Sequence, residues 1–573
     1  MQSLLHYKDS GNKKLAQQKF SSAISDFSHV INELKITGVD EAQMVMICLI
    51  NRSTCNLMSN RPDEAFSDAN EAMKTYNLLR EPIDTNKINA DKLKDDKLTI
   101  PLAISYVRRG QVYEARAEFH KAILDYNISD KINPNADGYQ ALTRIFKKLN
   151  IVDINQQDPD LKLFTAVYQT MTDPEKVVEA LSELLQTLLD HPPAESHFSK
   201  FSAQGCARLI FGIMQIYMNT DIVVVLCISI NRLLAENGVK DAFNGFPVIR
   251  TAMDVWKDNE AIVGDCLRFL ELIPTQFNEK MIEGQIVPTI INAINVELQP
   301  EEYDIAFIII YRLSSTKEQL KEIGTSNIIE IINKTKTLGG LILLSKLFQV
   351  PDLVRLAQEE GAMEWVVEKL NENKTNASII SAASIVLAQT FLHGRDTSNQ
   401  RVQVVQSEEE ENARKLKFTK TASQTISILG PISKKNNKDS TIVSNCFAAI
   451  ASCVELSTKD VRNERLIQAA SAMLELHMAN ESCVMNLVSF FFACTQCDLK
   501  SDVKANPSVF PTVMKALQKH PSNQLLAERA VAIAAECEHK IAEDLVALGL
   551  RQFPESAILR KYVGIINMER FKQ

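Results

Sequence analysis

Four polar side chains in the first part of the sequence have types and spacing suited to binding carboxylate groups. Lys8 and Asn12 are four residues apart, so one face of a helix would present both. Asn51 supplies a further amide, and Arg108 supplies a planar guanidinium that can hold a carboxylate through two parallel hydrogen bonds. A peptide that ends in Asp carries two carboxylates on one residue, and donors converging from neighbouring helices would bind both. These residues therefore indicate a peptide-binding site.

Signals for catalysis or for a metal are weak by comparison. Cys494 and Cys497 form a Cys-x-x-Cys pair, but the pair ends an apolar helical pattern and has no second pair or histidine at the spacing of a zinc site. The sequence also lacks a P-loop, a dinucleotide fingerprint, a Gly-x-Ser-x-Gly motif and a His-Glu-x-x-His motif. We therefore expect no catalytic residues, no metal and no cofactor, in a protein that is not an enzyme.

The composition favours a helical protein of the cytoplasm. The 573 residues include only 18 Gly and 18 Pro, with 45% hydrophobic and 23% charged residues, which is too few turn residues for a β-sandwich or barrel. The net charge of -8 argues against nucleic acid as a partner. No apolar run is long enough to cross a membrane, and no signal peptide is evident at the start. The eleven scattered cysteines are typical of reduced core thiols.

The elements that would position the four polar residues are helical hairpins. Three segments share a small residue followed twelve positions later by an alanine: Gly11 and Ala23, Ser53 and Ala65, and Gly110 and Ala122. This spacing predicts a first helix that keeps a small residue where the second helix crosses it. The pattern resembles the tetratricopeptide repeat, whose period is 34 residues.

The resemblance implies a tetratricopeptide domain over residues 1–150, with three repeats and a capping helix. The aligned alanines are 42 and 57 residues apart, which exceeds the period of the family. A polar stretch over about 80–98 accounts for the second excess. We interpret this stretch as a solvated loop or an extension of a helix, with a dedicated binding element as the alternative.

Some members of this family bind the Glu-Glu-Val-Asp tail of cytosolic heat-shock chaperones through a two-carboxylate clamp of five residues. Lys8 and Asn12 match the two clamp positions of the first repeat, Asn51 matches the position in the second, and Arg108 matches the arginine of the third. The resemblance therefore implies a chaperone tail as a partner, held by these four residues.

The fifth clamp position departs from the family. Ile104 stands where the family has a lysine. Arg109 or Lys14 is a candidate to supply the missing positive charge, and each remaining residue also has a purely structural interpretation as a helix-contacting amide or a surface charge.

The remainder of the chain consists of apolar helical segments with short connections. Segments that recur about every 40 residues predict an armadillo or HEAT-like α-solenoid, with an unrelated helical bundle as the alternative. We place armadillo-like parts at 158–392 and 416–573, with single helices that include 199–218 and 462–478. Between these parts lies a charged loop at 393–415, whose acidic run at 407–412 is either solvated or a regulatory element.

The complete architecture is all-α, with N-terminal tetratricopeptide hairpins followed by an armadillo-like solenoid. It resembles the myosin chaperones that carry a UCS domain and the tetratricopeptide and armadillo proteins of dynein-arm assembly. The resemblance implies a non-catalytic cochaperone that binds a chaperone tail and a client such as myosin or a dynein subunit. The alternative is a structural scaffold of a cytoskeletal or axonemal assembly that does not bind a chaperone, in which Ile104 marks a clamp that has decayed.

Overall fold

The chain folds into helices that form two compact units, Met1–Phe277 and Asn278–Gln573. The computed structural model describes residues 2–83, 88, 93, 96–134, 136–149, 151, 158, 161–190, 195–359, 361–393 and 408–570, and these ranges contain no β-strand. The predicted all-α class is therefore confirmed. Within the same ranges, no helix combines the length and the apolar character that a membrane span requires.

The first unit begins with three helical hairpins and a seventh helix. The helices are α1 (Gln2–Ala16), α2 (Phe20–Glu33), α3 (Val39–Met58), α4 (Pro62–Asn77), α5 (Thr99–Ala115), α6 (Phe119–Ile132) and α7 (Gly138–Lys148). Helices α1 and α2, α3 and α4, and α5 and α6 pack as pairs, and α7 packs on α6. The three predicted hairpins and the capping helix are present.

The small residues lie where the two helices of a hairpin cross. A side chain added at Gly11 would meet the ring of Phe27, and one added at Gly110 would meet the ring of Tyr126. Ser53 is fully buried and donates its hydroxyl hydrogen to the carbonyl oxygen of Ala65 over 2.8 Å. Close approach of the two helices therefore requires a small side chain at these positions.

The predicted insertion at 80–98 falls between α4 and α5. Residues 84–87, 89–92 and 94–95 lie outside the described residues. The two ends of the insertion are joined, because the guanidinium of Arg80 donates to the carboxylate of Asp96 over 2.6 Å.

The rest of the first unit continues directly from the hairpins. Its helices are α8 (Lys162–Thr170), α9 (Pro174–Asp190), α10 (Glu195–Ala203), α11 (Cys206–Ile216), α12 (Asp221–Glu236), α13 (Phe246–Val255) and α14 (Glu260–Glu271), with 3-10 turns at Lys240–Gly245 and Thr275–Phe277. His120 of α6 stacks on Tyr217, with ring centroids 5.8 Å apart. Ile151 fills the space that a side chain at Gly212 would need. The predicted linker around 153–160 lies largely outside the described residues.

The second unit contains nineteen described helices. They are α15 (Asn278–Glu283), α16 (Ile286–Ala293), α17 (Pro300–Leu313), α18 (Lys317–Gly324), α19 (Ile328–Thr335), α20 (Leu338–Leu347), α21 (Pro351–Glu359), α22 (Ala362–Glu372), α23 (Ala377–His393), α24 (Glu408–Lys435), α25 (Ser440–Cys453), α26 (Thr458–Asn463), α27 (Leu466–Leu476), α28 (Glu481–Thr495), α29 (Lys500–Ala505), α30 (Val509–Lys519), α31 (Gln524–Glu536), α32 (Ala542–Gln552) and α33 (Ala557–Arg570). A 3-10 turn at Val454–Leu456 follows α25.

Most of these helices recur in groups of three, in which two shorter helices are followed by a longer one. We call the last helix of each group its third helix. The third helices α17, α20, α23, α25, α28, α31 and α33 contact one another in succession. Contacts only between neighbouring groups are the mark of a helical solenoid, and three helices in about 40 residues is the armadillo arrangement. The predicted solenoid is confirmed on this geometry.

The prediction of a single helix is wrong for two segments, because each segment is divided into two helices by a break in its first half. The segment 199–218 divides at Gly205, whose φ is +70°, and the segment 462–478 divides at Arg465, whose φ is +48°. A residue in the left-handed region cannot continue a right-handed helix. The break separates the first helix of a group from the second.

The predicted charged loop at 393–415 is also shorter than expected. His393 is the last residue of α23, and α24 already begins at Glu408. Residues 408–415 are therefore helical, and most of the acidic run at 407–412 belongs to the first turns of α24. Residues 394–407 lie outside the described residues.

Candidate functional site

Three of the four predicted clamp residues come together between α1 and α3. The side-chain amide of Asn51 donates to the side-chain oxygen of Asn12 over 2.8 Å. Lys8 lies one turn before Asn12 on the same face of α1. The amide nitrogen of Asn12 and the second hydrogen of the Asn51 amide are not used in this contact, so both remain available to a carboxylate.

Among the described residues, the nearest carboxylate to Lys8 is a distant one on the same helix. The Nζ of Lys8 is 3.8 Å from the carboxylate of the adjacent Asp9, whose side chain is 65% exposed. Burial raises the pKa of the Cys48 thiol to about 12, and the charge of Lys8 opposes this rise. That interaction places Lys8 close to α3. The side chain of Lys8 is itself 23% exposed. A contact of 3.8 Å to an exposed carboxylate contributes little to stability, so Lys8 can pair with a ligand.

Arg108 lies on α5 and is half-buried. One terminal nitrogen, Nη1, donates to the side-chain oxygen of Gln111 over 2.9 Å, and Nε has no partner among the described residues. Burial lowers the pKa of Arg108, and the charge of Asp137 partly offsets this. No described hydrogen bond joins Arg108 to Lys8, Asn12 or Asn51. The structure thus brings three of the predicted residues together and leaves Arg108 on a neighbouring helix. The Nε of Arg108 is buried, and its Nη2 is not used in a described hydrogen bond.

Ile104 stands one turn before Arg108 and belongs to the apolar interior. It is partly buried and packs against a cluster that includes Leu49 and Ile50 of α3 and Leu102 of α5. The position of the missing clamp lysine is therefore occupied by a side chain that contributes to packing between α3 and α5.

Arg109 and Lys14, the candidates to replace that lysine, are both engaged in ion pairs. Arg109 forms two hydrogen bonds of 2.8 Å with the carboxylate of Asp125, and Lys14 pairs with Asp26 over 2.6 Å. Both positive charges are already neutralised inside their own hairpins. A ligand would have to compete with these pairs to use them.

These ion pairs follow a repeat that the sequence analysis did not detect. Asp26, Asp68 and Asp125 each lie fifteen residues after the small residue of their hairpin, and their side chains are almost fully buried. Arg52 holds Asp68 in the second hairpin as Arg109 holds Asp125 in the third, sixteen residues apart in both cases. An alignment on the small residues would have found both pairs.

The same arginines also connect successive hairpins. Arg52 donates to the hydroxyl of Ser28 on α2, and Arg109 donates to the side-chain oxygen of Asn70 on α4. Each arginine therefore joins its own hairpin to the one before it. Arg52 and Arg109 are structural cations, in contrast to Lys8 and Arg108.

A groove of about 560 Å³ lies between α4 and α5. Its lining includes Phe66, Asn70, Met73, Tyr106 and Arg109. Consecutive residues of a helix point about 100° apart, so Arg109 in this groove and Arg108 face different directions. The groove is therefore distinct from the predicted clamp.

The cysteine pair has the properties of packed thiols. Burial raises the pKa of Cys494 and also that of Cys497, and Cys497 donates to the carbonyl oxygen of Cys494 over 3.3 Å. A thiol whose pKa is raised is a poor nucleophile and a poor metal ligand at neutral pH. Within the described part of the chain, no group of His, Cys, Asp and Glu side chains has the arrangement of a metal site.

No protein-family model matches the chain, and no curated protein matches its sequence. Three solved structures are similar in backbone over most of their length. One comes from a study of the interaction between cadherin and β-catenin, with 9% identity and a TM-score of 0.49 over 89% of this chain and 98% of that chain.

The other two structures are more distant by TM-score. The myosin chaperone UNC-45 from C. elegans has 13% identity and a TM-score of 0.25, over 98% of this chain and 76% of that chain. A structure of Naa15/Naa10 bound to HypK-THB has 11% identity and a TM-score of 0.21, over 99% of this chain and 96% of that chain. At this level of similarity the three structures carry no argument about function. The chain is a helical-repeat protein on the evidence of its own contacts between helices.

Proposed function

We propose that the protein is a non-catalytic adaptor of the cochaperone type. Its hairpins bind the Glu-Glu-Val-Asp tail of a cytosolic heat-shock chaperone through Lys8, Asn12, Asn51 and Arg108. Its solenoid helices bind a client protein, such as myosin or a dynein subunit. Holding both partners on one chain raises the effective concentration of chaperone near client, which requires no catalytic residue.

The contact between Asn12 and Asn51 carries this proposal. It brings amide donors from two hairpins together beside Lys8, whose nearest carboxylate among the described residues is 3.8 Å away. A terminal Asp needs such converging donors for its two carboxylates. Arg108 would add a further cation from the third hairpin, and its Nη2, which no described hydrogen bond uses, supports that role.

The test is a titration of the full chain with a labelled peptide that ends in Met-Glu-Glu-Val-Asp. We expect micromolar binding, which falls about ten- to a hundredfold when Lys8→Ala or Arg108→Ala removes one charge-assisted contact. The same peptide with a C-terminal amide should bind at least tenfold more weakly, because one of the two terminal carboxylates is then absent.

Two matched variants serve as controls for these losses. Lys13→Ala removes an exposed lysine from the same helix as Lys8, and Arg116→Ala removes an arginine at the end of the same helix as Arg108. Both should bind the tail like the unmodified chain. Equal binding of the free and amidated peptides, or no binding at millimolar peptide, would favour the scaffold without chaperone binding, for which the packing of Ile104 is the supporting observation.

A further inference from the structure

Polar side chains are partly exposed on two third helices of the last repeats, α28 and α31. In α28 the side chains of Val484, Leu487 and Phe490 are buried, whereas Asn486 and Ser489 are partly exposed. The period of this alternation is that of a helix with one face on the core and one face outward. The outward face of α28 lies between the corresponding faces of α25 and α31, because α28 contacts both helices.

Hydrogen bonds connect these outward faces. The amide of Asn486 donates to the carbonyl oxygen of Ser444 over 3.2 Å and to its hydroxyl over 2.9 Å. The hydroxyl of Ser444 also lies 3.4 Å from that of Ser482. On the other side of α28, the guanidinium of Arg529 on α31 donates to the hydroxyl of Ser489. Hydrogen bonds therefore link polar side chains of three helices, among which that of Ser444 is buried.

Arg529 differs from several other cations of these repeats. Arg462 pairs with Asp498 and Asp502, Lys504 pairs with Glu538, and Lys515 pairs with Glu475. Among the residues that the structure describes, no carboxylate lies within ion-pair distance of Arg529. Burial lowers the pKa of Arg529, and no neighbouring charge offsets the removal of its guanidinium from water. A half-buried guanidinium without a counter-charge is unfavourable in the isolated chain.

We propose that Arg529 binds the carboxylate of an acidic side chain in an extended segment of a partner protein that lies across α28 and α31. The choice of an acidic segment follows from charge complementarity, because an incoming Asp or Glu would neutralise this guanidinium. Ser489 would hold the guanidinium in place, and Leu525, which is 47% exposed on α31, offers an apolar contact beside it. The proposal rests on the client-binding part of the proposed function and names the chemistry of that client.

The experiment uses the full chain and peptides that cannot occupy the clamp. The probes are acetylated and amidated twelve-residue peptides of Ser, Thr and Leu that carry either three Asp or three Asn. We expect the Asp peptide to bind at least tenfold more tightly than the Asn peptide. Arg529→Gln should lower the affinity for the Asp peptide by tenfold or more and leave the Asn peptide unchanged.

Two further variants separate charge from folding. Arg529→Lys keeps the charge and should retain part of the preference for Asp, whereas Arg551→Gln removes an exposed arginine of α32 and should change nothing. The thermal midpoint of Arg529→Gln should equal or exceed that of the unmodified chain, since the arginine has no carboxylate to lose. A residue kept for binding at a cost in stability has this signature.

Three results would overturn the proposal. The first is equal binding of the Asp and Asn peptides, and the second is unchanged binding of the Asp peptide by Arg529→Gln. The third is a lowered thermal midpoint in Arg529→Gln, if Arg529→Lys restores the midpoint but does not restore binding of the Asp peptide. Binding of the Met-Glu-Glu-Val-Asp tail is measured in parallel and should not change in Arg529→Gln. If the tail fails to bind while the Asp peptide binds through Arg529, the proposed clamp is contradicted and the proposed site at Arg529 is supported.

Discussion

Five positive side chains of the hairpins differ in their neighbours. Lys14, Arg52 and Arg109 are tied to buried aspartates, and their charges stabilise the hairpins. Lys8 and Arg108 have no close carboxylate partner within hydrogen-bond distance among the described residues. This difference supports a binding role for Lys8 and Arg108, because a cation without a counter-charge gains most from an anionic ligand.

The missing clamp lysine leads to a prediction at the residue scale. Ile104→Lys restores the residue that the family has at this position, and Ile104 is only partly buried. A lysine can keep its aliphatic stem against the cluster and extend its amine toward solvent. We expect the affinity for the Met-Glu-Glu-Val-Asp tail to rise about tenfold in an anisotropy titration.

A variant of the same helix controls for a general effect of charge. Ile100 lies one turn earlier on α5 and is 56% exposed. Ile100→Lys adds the same charge away from the clamp and should raise affinity less than twofold. If the two variants bind the tail equally, or if Ile104→Lys binds no better than the unmodified chain, Ile104 does not mark a clamp position.

At the scale of elements, each buried aspartate joins the two helices of its own hairpin. Asp125 is held by Arg109, which also reaches Asn70 of the preceding hairpin. Asp68 is held by Arg52 and also accepts from the amide of Asn56 over 3.0 Å. These contacts lie beside the small residues, so each hairpin combines close helix packing with a charge pair at its interface.

Removing one partner of such a pair should destabilise the first unit strongly. Arg109→Met leaves the carboxylate of Asp125, which is 5% exposed, without its counter-charge. We expect a loss of about 3 kcal/mol in the free energy of unfolding, measured by chemical denaturation. The double variant Arg109→Met with Asp125→Leu should recover most of this loss, because it removes both charges together.

An exposed pair at the end of α5 provides the comparison. Arg116 pairs with Asp63, whose side chain is 86% exposed. Arg116→Met should cost less than about 1 kcal/mol, as is typical of surface ion pairs. Equal losses for Arg116→Met and Arg109→Met would show that burial of the aspartate does not control the energy of these pairs.

At the scale of the whole molecule, the hairpins and the helices after them form one unit. His120 stacks on Tyr217, and the hydroxyl of Tyr217 donates to the carbonyl oxygen of Met171 over 3.0 Å. Ile151 packs directly over Gly212. The first unit therefore continues through this junction to Phe277, and the solenoid helices of Asn278–Gln573 form a second unit with its own core.

The junction makes the first unit sensitive to acid. Burial, reinforced by the nearby charge of Lys121, lowers the pKa of His120 below that of an unfolded histidine, which is about 6.5. The unfolded chain therefore takes up a proton first as the pH falls. The contribution of His120 to stability is complete above pH 6.5 and is lost as the pH falls below that value.

We expect the thermal midpoint to decrease between pH 7.5 and pH 5.5, and the decrease to be smaller in His120→Phe. Phenylalanine keeps a ring against Tyr217 but cannot be protonated. His539 stacks on Phe510 in the second unit and also has a lowered pKa, so His539→Phe reports the corresponding effect there. An identical pH dependence in His120→Phe and the unmodified chain would contradict a role for His120.

Local patterns in the sequence determined most of the helices, the three hairpins and the types of residue at the proposed clamp positions. Helical periodicity and the small residues Gly11, Ser53 and Gly110 act over one or two turns or one helix crossing, so they can be read from the order of residues. The sequence also contains a pattern with a longer period, formed by the residues that cap the third helices. Asn376, Asp439, Asn480 and Asn523 each cap the start of a third helix, and the last three are 41 and 43 residues apart.

Only the tertiary structure decided which charges are available. Arg108 and Arg109 are adjacent in sequence, yet Arg109 is bound to an aspartate sixteen residues away, and Arg108 is not. Ile104 packs in the interior because of residues on other helices. Arg529 has no carboxylate partner among the described residues for the same reason. Ion pairing and desolvation depend on groups within a few ångströms in space, and such groups come from several repeats whose packing no local pattern specifies.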